Sequence, residues 1–91
     1  MGPADVPSLP RGVRRHFDRV RDTPVLLGPE RVLMLDQIGC AVLDHVDGQA
    51  SIDQISDTLA GLYDAEKSEI MADVIAYLGD LADKRLLDVR P

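Results

Sequence analysis

The stretch Arg31-Val32-Leu33-Met34-Leu35-Asp36 decides the fold, because strand-like runs precede it and helical patterns follow it. It comes after the turn Gly28-Pro29-Glu30 and ends at an acid that can cap a helix. Strands followed by helices predict an α+β fold. Residues 13–21 and 25–27 form the two earlier runs, and short connections predict an antiparallel meander with 31–35 as its outermost strand.

Two helices are predicted between this stretch and residue 63. Asp36 is the expected N-cap of the first helix, and Gly48 is its expected C-terminal stop. Ser51 opens the second helix with a capping-box pattern. The apolar residues recur at helical spacing: Ile38, Val42 and Val46 in the first helix, and Ile52, Ile55, Leu59 and Leu62 in the second.

A third helix is predicted from about residue 66 to 84, with Asp64 as its cap. Its apolar residues sweep about half of the helix circumference, whereas a surface helix needs a stripe of only about 100°. Either the helix is packed on two sides, or one flank borders an apolar groove. These residues are Ile70, Met71, Val74, Ile75, Tyr77, Leu78, Leu81 and Ala82.

Composition limits the possible partners. The chain has 91 residues and a net charge of −6, which predicts one small acidic domain and disfavours nucleic acid and anionic membrane as partners. Residues 1–10 contain three prolines and predict a disordered segment or linker ahead of a domain at 11–91. No apolar run approaches the length of a membrane span.

No catalytic or metal-binding pattern is found, so neither an enzyme nor a cofactor is expected. Cys40 is the only cysteine, which excludes an internal disulfide and favours a cytosolic setting and a packing role. His16 and His45 are too few for a metal site. The helical acids are expected to form a solvated surface.

A winged helix that binds DNA is a competing interpretation, because strands and three helices also build that fold. The third helix then carries the contacts to phosphate. Here that segment holds five acids against three bases, so phosphate would be repelled.

The edge formed by residues 31–35 is the candidate binding surface. An outermost strand presents unpaired N–H and C=O groups, and residues 32–35 carry no charge or proline to block pairing. The edge can serve a further strand, or it can be covered by the N-terminal segment or by a second copy of the chain. The residues alone leave these alternatives open.

Several stretches resemble the pyrroloquinoline quinone (PQQ) biosynthesis D family, PqqD. The matching residues are 9–13, the run from Val25 to Asp36, the pair Asp47-Gly48 ahead of Ile52-Asp53-Gln54-Ile55, and the pattern of Asp73, Val74, Tyr77, Leu78 and Leu81. The resemblance implies a winged helix-turn-helix-like fold with a three-stranded antiparallel sheet and three helices. It also implies a peptide chaperone that binds the precursor peptide PqqA and presents it to the radical SAM enzyme PqqE.

The resemblance extends to related domains that recognise leader peptides, which take the peptide as an added strand beside the third strand, against the third helix. The implied peptide-binding residues are therefore Arg31, Val32, Leu33, Met34, Leu35, Ile70, Met71, Asp73, Val74, Ile75, Tyr77 and Leu78. A monomer is expected. The alternative function is a structural module that self-associates through the same edge, by dimerisation or strand exchange.

Overall fold

The sheet is the three-stranded antiparallel meander that the sequence predicts. The computed structural model describes residues 1–91. The sheet strands are β2 (Arg14–Asp18), β3 (Thr23–Leu27) and β4 (Val32–Met34), in the order β2-β3-β4. Leu26 of the middle strand pairs with Arg15 of β2 on one side and with Leu33 of β4 on the other. The outermost position of β4 is thereby confirmed.

The first helix is shorter than the sequence pattern suggests. Helix α1 (Gln37–Leu43) begins as predicted, with the Asp36 carboxylate accepting a hydrogen bond from the Gly39 N–H at 2.6 Å. It ends at Leu43, well before Gly48. Val46 was expected in the helix, but it lies in a tight turn in which its N–H donates to the Leu43 carbonyl at 3.1 Å. Its side chain still packs on the core, which is why its spacing imitates a further helical turn.

The second helix confirms the predicted capping box. In α2 (Ile52–Tyr63) the Ser51 hydroxyl accepts from the Gln54 N–H, and the Gln54 side chain accepts from the Ser51 N–H. Ile52 and Leu59 are buried, but Leu62 remains 67% exposed. A stripe at 100° per residue is buried only where another element covers it, and the last turn of α2 is left open.

The third helix, α3 (Lys67–Asp83), lies close to its predicted bounds. Asp64 does not cap it. Asp64 instead ends α2 in the left-handed conformation (φ 49°, ψ 48°), with its N–H donating to the Ala60 carbonyl. Aspartate tolerates this conformation better than most residues, so it can end one helix as readily as begin another. The N-cap of α3 is Glu66, whose side chain makes no capping hydrogen bond.

Part of the N-terminal segment is ordered, which differs from the predicted disordered linker over residues 1–10. Strand β1 (Val6–Ser8) pairs with the C-terminal strand β5 (Asp88–Arg90), and Pro7 between them is buried. Carbonyls of the same segment also cap α2. The Ile52 N–H donates to Asp5 O and the Asp53 N–H donates to Pro3 O, both at 2.9 Å. Any residue can cap a helix through its backbone carbonyl, so composition does not reveal this role. The three prolines predict disorder, whereas the segment contains a short strand and two capping carbonyls.

The core is aliphatic and joins the sheet to all three helices. Thirteen buried side chains form one cluster, to which β3 contributes Leu26, α2 contributes Ile55, and α3 contributes Val74, Leu78 and Leu81. None of the helices is long and apolar enough to cross a membrane. The α+β, winged-helix-like architecture is therefore the predicted one, with a small second sheet added.

Candidate functional site

The outer edge of β4 carries no paired strand. The meander ends at β4, and the N-terminal strand pairs with β5 on a separate sheet. The N-terminal segment therefore does not cover this edge, which excludes one of the alternatives that the sequence leaves open. Strand β2 is the other edge of the sheet, but its charged side chains disfavour pairing with a further strand. These residues are Arg14, Arg15 and Asp18.

The hydrogen bonds that flank β4 show which of its backbone groups face outward. The Gly28 N–H donates to Arg31 O at 2.8 Å, and the Leu35 N–H donates to Pro24 O at 2.9 Å. Bonding alternates along an antiparallel strand, so Leu33 also turns its backbone groups toward β3. The N–H and C=O groups of Val32 and Met34 consequently point to the open edge.

The side chains of β4 divide by face in the same alternation. Val32 and Met34 are 54% and 62% exposed, whereas Leu35 is buried and Leu33 packs partly buried against the core. Leu33 and Leu35 thus anchor the strand. Val32 and Met34 offer the backbone template, and Arg31 lies exposed at the start of the strand.

The chain from the β3–β4 turn through α1 runs antiparallel to α3. At one end a Cβ on Gly28 would lie 2.6 Å from Leu86 Cδ2, just beyond the C-terminus of α3. In the middle a Cβ on Gly39 would lie 2.5 Å from Tyr77 Oη. At the other end Ile38 and neighbouring residues of α1 share a cavity with Ile70. We refer to the surface that runs along β4 and α1 beside this flank of α3 as the groove; the cavity lies at its α1 end.

These contacts identify the flank of α3 that borders the groove. Ile70 and Asp73 line the cavity beside α1, and Tyr77 contacts Gly39 of α1. All three therefore lie on the flank of α3 that faces α1. At 100° per residue, Met71 and Ile75 lie on the opposite flank, and both pack half-buried against the core. The structure therefore does not bring the twelve predicted residues together on one surface.

Two further predicted residues of α3 are core residues. Leu78 is fully buried and has no open surface to offer a ligand. Val74 is 1% exposed, yet it forms part of the floor of the cavity near Ile70. The wide apolar face seen in the sequence thus combines packing against the core with an apolar cavity on one flank.

Tyr77 marks the middle of the groove. Its hydroxyl lies beside Gly39 and the Asp36 carboxylate, at the junction of β4 and α1. Burial raises the pKa of the phenol, and the nearby negative charge of Asp36 raises that pKa further. Tyr77 is therefore a neutral hydrogen-bonding group at physiological pH.

An apolar cavity of about 170 Å³ opens at the α1 end of the groove. Ile38 and Ala41 line this cavity together with the predicted binding residues of α3, but the sequence did not predict either of them as a binding residue. The signal for Ile38 was its helical spacing, which placed it in the core, but it is 66% exposed. The lining residues are Ile38, Ala41, Val42, Leu59, Tyr63, Ile70, Asp73 and Val74.

The other candidate residues form no such site. Cys40 is unpaired and packs half-buried against the core. Arg15 forms an ion pair with Asp44 at the end of α1, and this hydrogen bond raises the pKa of the guanidinium. No group of three or more His, Cys, Asp or Glu side chains is placed to hold a metal ion.

Comparison with known families gives a match over most of the chain. The family model described as coenzyme PQQ synthesis protein D (PqqD) matches residues 24–87. The bifunctional coenzyme PQQ synthesis protein C/D of Methylorubrum extorquens is 49% identical over 85 residues, 93% of this chain but only 23% of that protein. The chain thus spans about a quarter of that relative. The PqqA binding protein of Rhodopseudomonas palustris (strain HaA2) is 51% identical over 81 residues, covering 89% of this chain and 79% of that protein.

Two solved structures are similar. The first is the solution NMR structure of the PqqD truncation of Methylobacterium extorquens PqqCD, described as a functional, stand-alone RiPP recognition element. It has a TM-score of 0.81 and 48% identity, and the match covers 96% of this chain and 93% of that chain. The crystal structure of PqqD from Xanthomonas campestris has a TM-score of 0.61 and 49% identity, with coverage of 89% and 90%.

Proposed function

Because the chain belongs to the PqqD family, we propose that it binds the precursor peptide PqqA as an added strand along the open edge of β4. Relatives of similar length are named PqqA binding proteins, and a similar structure is described as a RiPP recognition element. Strand addition needs a free edge with outward-facing backbone groups beside pockets for alternate side chains. The groove between β4–α1 and α3 offers both.

The observation that carries the proposal is the outward backbone of Val32 and Met34 beside the Tyr77 flank of α3. Side chains of an added strand alternate in direction, so every second peptide side chain points toward α3. Ile70, Asp73 and Tyr77 are the residues of α3 that would meet them. Leu33 and Leu35 act by holding the strand on the core.

We also propose that the bound peptide is presented to the radical SAM enzyme PqqE. The groove offers backbone hydrogen-bonding groups and apolar side chains, which bind a peptide but do not transform it. The chemistry therefore belongs to the enzyme, and this chain acts as a peptide chaperone.

A lone cysteine suits the reducing cytoplasm, which is the compartment we assign.

The test is an amide NMR titration with synthetic PqqA, combined with hydrogen exchange. Peptide binding should shift the resonances of residues 31–36 and of Ile70, Asp73 and Tyr77. It should slow exchange at Val32 and Met34, whose N–H groups point outward, while Leu33 is already protected by β3 in the free chain. Shifts confined to β2 or to the Met71 and Ile75 flank would contradict the proposal.

Self-association is the second candidate function, because the same open edge can pair with a second copy of the chain. Size-exclusion chromatography at several concentrations, with and without PqqA, separates the two functions. A dimer formed at β4 should dissociate when peptide is added. A dimer that is indifferent to peptide must use another surface.

A further inference from the structure

A second depression lies at the end of the groove opposite the apolar cavity. It is an open cleft of about 540 Å³ between the β3–β4 turn and the segment that follows α3. Only one of its seven lining residues is hydrophobic. Arg31, Lys84 and Arg85 contribute three positive charges, against the single negative charge of Glu30. We refer to it as the cationic cleft.

Two of these cations are available to a ligand. Arg31 and Arg85 are exposed and take no part in the ion pairs within the chain, whereas Lys84 pairs with Asp80. The chain as a whole has a net charge of −6, so the cationic cleft departs from the overall charge of the molecule. Two unpaired guanidinium groups beside the peptide groove suit a carboxylate.

The backbone conformation of Arg85 makes glycine a suitable replacement for this residue. Arg85 has φ 61° and follows α3 at the position where the Leu86 N–H closes back onto Leu81 O at 2.9 Å. Glycine is the residue that usually takes this left-handed position, because a Cβ is unfavourable there. An Arg85→Gly substitution therefore removes the charge without straining the backbone.

We propose that the cationic cleft holds an acidic side chain of the peptide that lies along β4. The inference rests on the proposed function, because the cleft begins at Arg31, where the β4 edge begins. Val74 in the floor of the apolar cavity and Lys84 in the cleft are about 15 Å apart at the helical rise. An extended peptide covers that distance in about four or five residues. The preferred peptide therefore carries an acid at that separation from a bulky apolar side chain.

The experiment measures the affinity of synthetic PqqA, amidated at its C-terminus so that only side chains supply carboxylates. Arg85→Gly removes the charge and suits the backbone, so its melting temperature should equal or exceed that of the wild type. Its dissociation constant for PqqA should rise about two- to fivefold. The double variant Arg31→Gln with Arg85→Gly should raise the dissociation constant about tenfold. Arg19→Gln is the matched control, because it removes one charge at the opposite end of the sheet.

Peptides in which each acid is replaced in turn by its amide identify the partner. Replacing the acid that occupies the cationic cleft should weaken binding to the wild type. The same replacement should leave binding to the variant that carries both Arg31→Gln and Arg85→Gly unchanged. The inference is overturned if no acid couples in this way, or if Arg19→Gln weakens binding as much as Arg85→Gly does. If the wild type binds no PqqA at all, the proposed function fails and the inference fails with it. Normal affinity in every arginine variant overturns the inference alone.

Discussion

Gly39 of α1 lies against the ring of Tyr77 on α3 with no room for a side chain between them. A Cβ at residue 39 would lie 2.5 Å from Tyr77 Oη and 3.0 Å from Cζ, and 3.1 Å from the Asp36 carboxylate that caps α1. This contact fixes the distance between α1 and α3 midway along the groove. It also makes the glycine a test of how rigidly the groove is held.

Gly39→Ala should destabilise the domain by about 1–3 kcal/mol, because the ring or the helix must shift to admit the methyl group. Tyr77→Phe removes the closest atom and should recover part of that loss in the double variant. Chemical denaturation of the four proteins in this cycle measures the coupling. Additive losses would show that the two residues do not constrain each other.

Leu59 and Leu62 provide a matched pair of substitutions on α2. Leu59 is 3% exposed in the core cluster, whereas Leu62 is 67% exposed on the last turn of the helix. Leu59→Ala should cost about 2–5 kcal/mol, because it leaves a cavity. Leu62→Ala should stay within about 0.5 kcal/mol of the wild type. Equal thermal unfolding of the two variants would contradict this placement of the core.

Deletion of residues 1–8 should destabilise the domain without changing its affinity for peptide. The deletion removes β1 and the two carbonyls that cap Ile52 and Asp53 of α2. Each lost hydrogen bond is worth about 1 kcal/mol, so a loss of roughly 2–4 kcal/mol is expected. Thermal unfolding checks the stability, and calorimetry at a temperature where the deletion variant is folded checks the affinity. An unchanged melting temperature would mean that β1 contributes nothing to the fold.

The features that the sequence predicted correctly are local ones. Asp36 caps α1 and Ser51 caps α2 through side chains that bond to nearby backbone groups, so a few residues suffice to recognise them. The meander likewise depends on short turns between apolar runs. The position of β4 at the edge then follows from connectivity alone.

The features that were missed depend on contacts between distant segments. Pairing of β1 with β5 joins the two ends of the chain, and neither strand is long enough to show a pattern of alternation. The choice between the Tyr77 flank and the Ile75 flank of α3 depends on where α1 packs. Periodicity gives the angles around a helix but not its neighbours, so both flanks were included in the predicted site.

Cys40→Ala should leave peptide binding and peptide modification by PqqE unchanged to within a few fold. The thiol packs half-buried beside the core and lies outside both the cavity and the cleft. Affinity is measured by calorimetry, and modification by mass spectrometry of PqqA incubated with the enzyme. Lost modification at normal folding and normal affinity would assign the thiol a chemical role.

The alternation of hydrogen bonds along β4 decides which residue tests strand addition. A proline at residue 33 would remove an N–H that bonds to β3, so Leu33→Pro should destabilise the sheet itself. Met34 presents its N–H to the open edge, where proline costs no bond within the chain. Met34→Ala keeps that N–H and removes only an exposed side chain, which makes it the matched control.

Met34→Pro should fold like the wild type and bind PqqA at least about tenfold more weakly, because it deletes a backbone donor and crowds the neighbouring strand. Met34→Ala should bind within about threefold of the wild type, since an exposed side chain contributes little. Circular dichroism establishes the fold of each variant before calorimetry measures its affinity. Folded Met34→Pro with wild-type affinity would rule out strand addition at β4, and an equal loss in Met34→Ala would assign the effect to the side chain.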